Sequence, residues 1–95
     1  MIKFDQVRFG GDGSVTIRAS AGSTEGLLEV TKGSIGLPSP NGLRNVVIET
    51  GASGSTIVKE NSIHALILVR IASGPGGICL SEANTINAPA QQICP

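Results

Sequence analysis

The chain never runs far without a turn. Thirteen glycines and five prolines are spread along its 95 residues, and the clusters they form leave gaps of about eight to twelve residues, the spacing of short strands joined by turns. Helices of ordinary length have little room, so the alternation of side chains within each gap is the signal to follow.

Ile2 and Phe4 alternate on one face, and Val7 and Phe9 resume the alternation one residue out of phase. This predicts a bulge near Asp5 and Gln6 that returns both pairs to the core. Gly10-Gly11-Asp12-Gly13 then turns the chain into Val15, Ile17 and Ala19, which alternate with Thr16 and Arg18, a hairpin pattern. Leu28 and Val30 continue it in a third strand. Residues 32–42, with Pro38, Pro40 and Asn41-Gly42, read as a loop without a regular element. Residues 43–50 and 55–60 flank Gly51-Ala52-Ser53-Gly54 and predict a second hairpin, with Val46 and Ile48 facing inward beside Ile57.

The strongest segment is 63–72. Ile63, Ala65, Ile67, Val69 and Ile71 share one face, Leu66 and Leu68 the other, and His64 and Arg70 mark where the second face reaches solvent. It is read as a central strand covered on both sides. The expectation is therefore an all-β, single antiparallel sheet domain over residues 1–95, with its sheet core in 1–78 and a C-terminal loop in 79–95. Periodicity alone also admits a helix over 63–72, but its β-branched residues and the Gly74-Pro75-Gly76-Gly77 stop favour a strand. No internal repeat or heptad emerges, and the recurrent Gly-rich turns leave a β-solenoid only as a residual alternative.

With Phe4 and Phe9 as the only aromatic residues, the core must be aliphatic. Cys79 and Cys94, the only cysteines, bracket the terminal segment and read as a disulfide staple that keeps the tail from fraying. Closing a loop of this size contributes about 3 kcal/mol in the chain-entropy model. A disulfide points to an oxidising, extracellular compartment, whereas two buried thiols of a reducing compartment are the alternative.

Seven acidic and seven basic side chains cancel, and neither sign runs in a block, so no nucleic-acid partner is implied. No apolar run approaches the roughly 18–20 residues of a membrane span. Lys3, Asp5 and Arg8 interrupt the apolar stretch that a secretory signal would need, so no export signal is visible in this chain. His64 is the only imidazole, and a dyad with Cys79 fails if that thiol is oxidised. The Gly10-to-Ser14 run lacks the lysine and the following helix of a phosphate loop. Asp5 and Asp12 make a weak calcium pair, and Cys79, His64 and Cys94 leave zinc one ligand short. Asn61-Ser62-Ile63 and Asn84-Thr85-Ile86 place the hydroxyl one residue too early for glycosylation. No cofactor, metal or catalytic constellation is expected, and the chain is read as a non-enzyme.

The segment from Cys79 to Cys94-Pro95 resembles the terminal disulfide loop of type IV pilin and pseudopilin heads, and Arg44-Asn45-Val46-Val47-Ile48-Glu49-Thr50-Gly51 resembles a strand of the minor-pilin group. That resemblance implies a structural subunit of an extracellular, cell-surface filament, whose antiparallel sheet packs on an apolar helix. The helix is absent from this chain, so another segment or chain would supply it. Ile63, Ile67, Val69 and Ile71 are the expected helix-docking face, with Leu66 and Leu68 as the alternative. Residues 82–92, with Glu82, Asn84, Asn87 and Gln91, are the expected contact loop between subunits. The partners so implied are other protein subunits and the apolar helix. A virion structural or decoration protein is one alternative. A secreted small-ligand module is another, with His64, Arg70 and Arg18 as its first polar candidates.

Overall fold

The computed structural model describes residues 2–19, 26–38, 42–51 and 54–95. Among these residues there are twelve strands and no helix: β1 Ile2–Asp5, β2 Arg8–Phe9, β3 Val15–Ala19, β4 Leu27–Thr31, β5 Ser34–Ile35, β6 Asn45–Thr50, β7 Ser55–Lys59, β8 Ser62–His64, β9 Leu68–Ala72, β10 Cys79–Glu82, β11 Thr85–Asn87 and β12 Ala90–Ile93. The strands form three four-stranded sheets, β1-β4-β7-β10 (sheet A), β2-β5-β8-β11 (sheet B) and β3-β6-β9-β12 (sheet C). Every pairing is parallel. The chain visits A, B and C in turn four times, so it is a three-sided β-solenoid of four coils rather than the single antiparallel sheet expected.

The antiparallel expectation rested on one-sided alternation. Parallel sheets are ordinarily buried on both faces, and a dry face opposite a wet one is the mark of antiparallel sheets. A solenoid escapes that rule, because three parallel sheets close round one core and leave all their outer faces wet. Alternation therefore survives while strand direction changes.

Each inward position becomes a column with one residue per coil. Phe9, Ile35, Ile63 and Ile86 stack in sheet B, and Ile17, Ile48, Ile71 and Ile93 in sheet C. Phe4, Val30 and Val58 stack in sheet A, where Ser81 ends the column. The middle members, Val30, Ile35, Ile48, Val58, Ile63 and Ile71, are fully buried, each burial of this kind being worth about 1.5–3 kcal/mol.

The out-of-phase step at Asp5 and Gln6 is a corner between sheets, not a bulge. Gln6 (φ 57°), Lys32 (54°), Glu60 (57°) and Ala83 (56°) occupy the same A-to-B position in successive coils. A single left-handed residue there turns the chain and flips the alternation, which keeps both Phe4 and Phe9 on the core side.

Other expectations are corrected in the same way. Residues 10–13 join sheet B to sheet C instead of closing a hairpin. β6 and β7 lie in different sheets and do not pair, and inward-facing Thr56 and Val58 leave Ile57 on the outer face. The Pro40-Asn41 and Ala52-Ser53 portions of the predicted turns lie outside the described residues. Residues 32–42 contain β5, and the 63–72 segment breaks at Ala65–Ile67 into β8 and β9. Gly36 marks a close approach within that stack, with φ of 79°, and an added Cβ would overlap the His64 carbonyl oxygen of the next coil.

Two buried polar clusters pin the corners. At the C-to-A corner Thr50 Oγ1 donates to Gly54 O (2.8 Å), Thr56 Oγ1 donates to Ala72 O (2.7 Å), and the two hydroxyls lie 3.1 Å apart. At the A-to-B corner the Asn61 amide sits in the wall. Gly33 N–H donates to Asn61 Oδ1 (2.8 Å), and Asn61 Nδ2 reaches Val30 O (2.9 Å) and Lys59 O (2.9 Å). Asn84 repeats the device one coil later, receiving Asn61 N–H at Oδ1 (2.9 Å) and donating from Nδ2 to Val58 O (2.8 Å). Among the described residues no buried side-chain nitrogen or oxygen lacks a partner.

Candidate functional site

A solenoid has outer faces and two ends, and the expected functional residues distribute among them unevenly. Ile63, Val69 and Ile71 are fully buried in the interior columns. They cannot form a helix-docking face without opening the coils. Ile67 alone of that set is outside, 51 % exposed at the B-to-C corner beside Leu66, while Leu68 is half-buried on sheet C. The predicted 82–92 contact loop is most of the fourth coil. Glu82 ends β10 and pairs with Lys59 (3.7 Å). Asn84 belongs to the amide ladder, Asn87 closes β11, and the Gln91 amide donates back to Ile86 O (3.3 Å).

Cys79 and Cys94 are joined, with their Cα atoms 5.4 Å apart. Cys79 opens the fourth coil and Cys94 follows its last strand, so the bond closes one complete circuit of the solenoid into a covalent ring. Cys94 N–H also donates to Ile71 O (2.7 Å), holding that ring on the coil below. Both thiols are spent, which removes the Cys79–His64 dyad and the Cys79–His64–Cys94 metal set from consideration. The disulfide is compatible with an extracellular location.

The two ends differ. At the fourth coil the inward columns end in Ser81 on sheet A, Ile86 on sheet B, and Gln91 and Ile93 on sheet C, with Ile86 and Ile93 partly buried against the core. The disulfide closes the corner between sheets C and A. At the first coil the corresponding positions are apolar: Phe4, Phe9 and Val15 are only partly buried against the core, and Ile2 is 47 % exposed. Among the described residues β1, β2 and β3 each pair on one side alone, as β10, β11 and β12 do at the other end. This end therefore combines unpaired strand edges with aromatic and aliphatic surface, the two features that solenoids and sheets normally cap.

A second feature lies at the B-to-C corner. Leu37, Pro38, Gly42, Leu43, His64, Ala65, Leu66 and Asn87 line an open cleft of about 400 Å³. His64 is fixed on its wall between Ser62 Oγ (3.2 Å from Nε2) and the Asn87 amide (3.3 Å from Nδ1). Hydroxyl, imidazole and amide in this order are the connectivity of a nucleophile, a base and its orienting group. Here the contact between Ser62 and His64 follows from strand pitch, since residues two apart on one strand share a face. The arrangement gives the cleft one polar wall opposite an aliphatic one. Arg18 and Arg70 are elsewhere, both paired with Glu49 on sheet C (3.6 and 3.8 Å).

Among the described residues no group of three or more His, Cys, Asp or Glu side chains is gathered, and no helix is long and apolar enough to cross a membrane. Sequence reasoning missed the Asn61–Asn84 ladder. Its signal is in plain view: Gly33-Ser34-Ile35, Asn61-Ser62-Ile63 and Asn84-Thr85-Ile86 are one motif repeated at the start of β5, β8 and β11, the last three of the four B strands. Comparison with protein-family models, curated proteins and solved structures finds no match to this chain.

Proposed function

We propose that this chain is a non-catalytic structural subunit that assembles with other protein surfaces through the open first-coil end of its solenoid. The supporting observation is the contrast between the ends. Among the described residues both ends leave strand edges unpaired. The fourth coil, however, is ringed by Cys79–Cys94 and sets Ser81 and Gln91 in the columns where the first coil has Phe4 and Val15, so that Ile2, Phe4, Phe9 and Val15 make the first coil the more apolar end. Apolar edges of this kind are stable in solution when another chain covers them. An extracellular filament, which the resemblance of residues 79–95 and 44–51 to pilin heads implies, is the setting this reading favours. An apolar helix in such a filament would have to meet the outside of the solenoid near Leu66 and Ile67.

The test is the native mass of the protein isolated from its source without reductant, measured by light scattering after size exclusion. A mass above the monomer, falling to the monomer when Phe4→Lys charges the open end, is expected. A monomer mass in the native isolate would overturn the reading.

The cleft beside His64 favours a second reading, a small-ligand module for a molecule with an aliphatic body and one hydrogen-bonding group. Chemical-shift changes confined to Leu37, His64, Leu66 and Asn87 during a fragment titration would move this reading ahead of the first.

A further inference from the structure

The open edge of β1 carries its own complement. Gln6 N–H donates to Thr31 O at 2.9 Å, and β1 runs parallel to β4 with Asp5 opposite Thr31. Alternation of the backbone then turns the N–H and C=O of Phe4 toward β4 and those of Lys3 and Asp5 toward the open side. Lys3 and Asp5 also share the outer face of the sheet, both exposed.

Consider an antiparallel copy of β1 laid along this edge and centred on Phe4. Lys3 meets the partner's Asp5, and Asp5 meets the partner's Lys3. The unpaired backbone groups of both residues are satisfied in the same register, and the two Phe4 rings meet where the apolar ends of the cores face each other. Centring the copy on Lys3 or on Asp5 would set like charges opposite each other. Head-to-tail stacking, which continues the existing columns, would place Asp5 over Glu82, Phe4 over Ser81 and Val15 over Gln91. That geometry sets Phe9 over Ile86 and Ile17 over Ile93, apolar on apolar, but it opposes two carboxylates and covers Phe4 and Val15 with polar side chains.

We propose that a second copy of this chain occupies the first-coil edge in a two-fold, end-to-end pair, with β1 antiparallel to β1 and Lys3 opposite Asp5. The pairing is isologous and closes, so it yields a dimer whose two disulfide-ringed coils face outward. It rests on the assembly reading above and names the partner.

Sedimentation velocity of the purified chain over a concentration series tests it with Lys3→Asp, Asp5→Lys and the double exchange. Each single variant sets two pairs of like charges across the dyad and is expected to weaken dimerisation about tenfold or more. The double variant restores opposite charges and is expected to recover most of the lost affinity. Lys3 and Asp5 are exposed, so circular dichroism should find all three variants folded. As an independent readout, carbodiimide treatment of a mixture of isotope-labelled and unlabelled chains should link Lys3 of one copy to Asp5 of the other. Self-association indifferent to the charge series and without that link would overturn the pairing but leave assembly through this end standing. A purified chain that remains monomeric would also overturn it. The native-mass measurement judges the assembly reading separately.

Discussion

Asn61→Ala should cost this small protein a large share of its stability. Asn61 is 3 % exposed, and its side chain accepts from Gly33 N–H and donates to Val30 O and Lys59 O. Gly33 and Val30 are themselves buried, so truncation leaves the Gly33 N–H without a partner, at about 1–3 kcal/mol. It also takes one bond each from the Val30 and Lys59 carbonyls, which keep their β4–β7 ladder partners, at about 0.5–1.5 kcal/mol per bond. A loss of about 3 kcal/mol is expected, against the roughly 5–15 kcal/mol that holds a domain together. Urea denaturation should show a lower midpoint with an unchanged slope. For a chain of this length the melting temperature should fall by about 12 °C or more. Asn84→Ala is the internal comparison. Asn84 is half-buried in the terminal coil, water can replace its bonds, and the expected loss is about 1 kcal/mol. If Asn61→Ala came within about 0.5 kcal/mol of the parent, or if Asn84→Ala were the more damaging, the amide ladder would not be the strut argued here.

Three further outcomes follow from the same geometry. Replacing Cys79 and Cys94 by serine should cost about 3 kcal/mol in chemical denaturation, with exchange of the Thr85–Asn87 and Ala90–Ile93 amides rising first as the fourth coil frays. Ala83 holds φ of 56°, so Ala83→Gly should raise stability by up to about 1 kcal/mol through relief of the left-handed strain, measured by the same denaturation midpoint. Ile67→Asp, at an exposed corner, should change stability by no more than about 0.5 kcal/mol, while Ile71→Asp, in a fully buried column, should abolish the folded circular-dichroism signal.

Much of the dry surface is legible from the chain. Val15, Ile17 and Ala19, Leu28 and Val30, Val46 and Ile48, and Ile63, Val69 and Ile71 all face the interior as alternation predicts. Ile57 does not, because its strand starts one residue out of step with the expected hairpin partner. Ile67 does not, because the chain turns a corner between β8 and β9, and alternation carried across that corner assigns the wrong face. The same reasoning turned the Gln6 corner into a bulge. Of the candidate site, the Cys79–Cys94 pairing was legible from the cysteines alone. The cleft at His64 was not, because Leu37, Leu43, Leu66 and Asn87 come together only when successive coils stack.

The amino-acid sequence by itself determined an all-β chain, an aliphatic core, the covalent closure of its last segment and which side chains avoid water. Only the tertiary structure decided that the strands run parallel and that the terminal loop is a full coil. It also decided that the columns holding Phe4 and Val15 at one end stop on Ser81 and Gln91 at the other. The physical reason is that alternation reports a face and not a direction. Parallel neighbours here are 26, 28 and 23 positions apart along sheet A (2 to 28, 28 to 56, 56 to 79), and unequal steps hide a repeat whose common features are a left-handed corner and a short Gly/Asn-Ser/Thr-Ile motif. The backbone supplies those features coil by coil, and they become a pattern only when the coils are laid on one another.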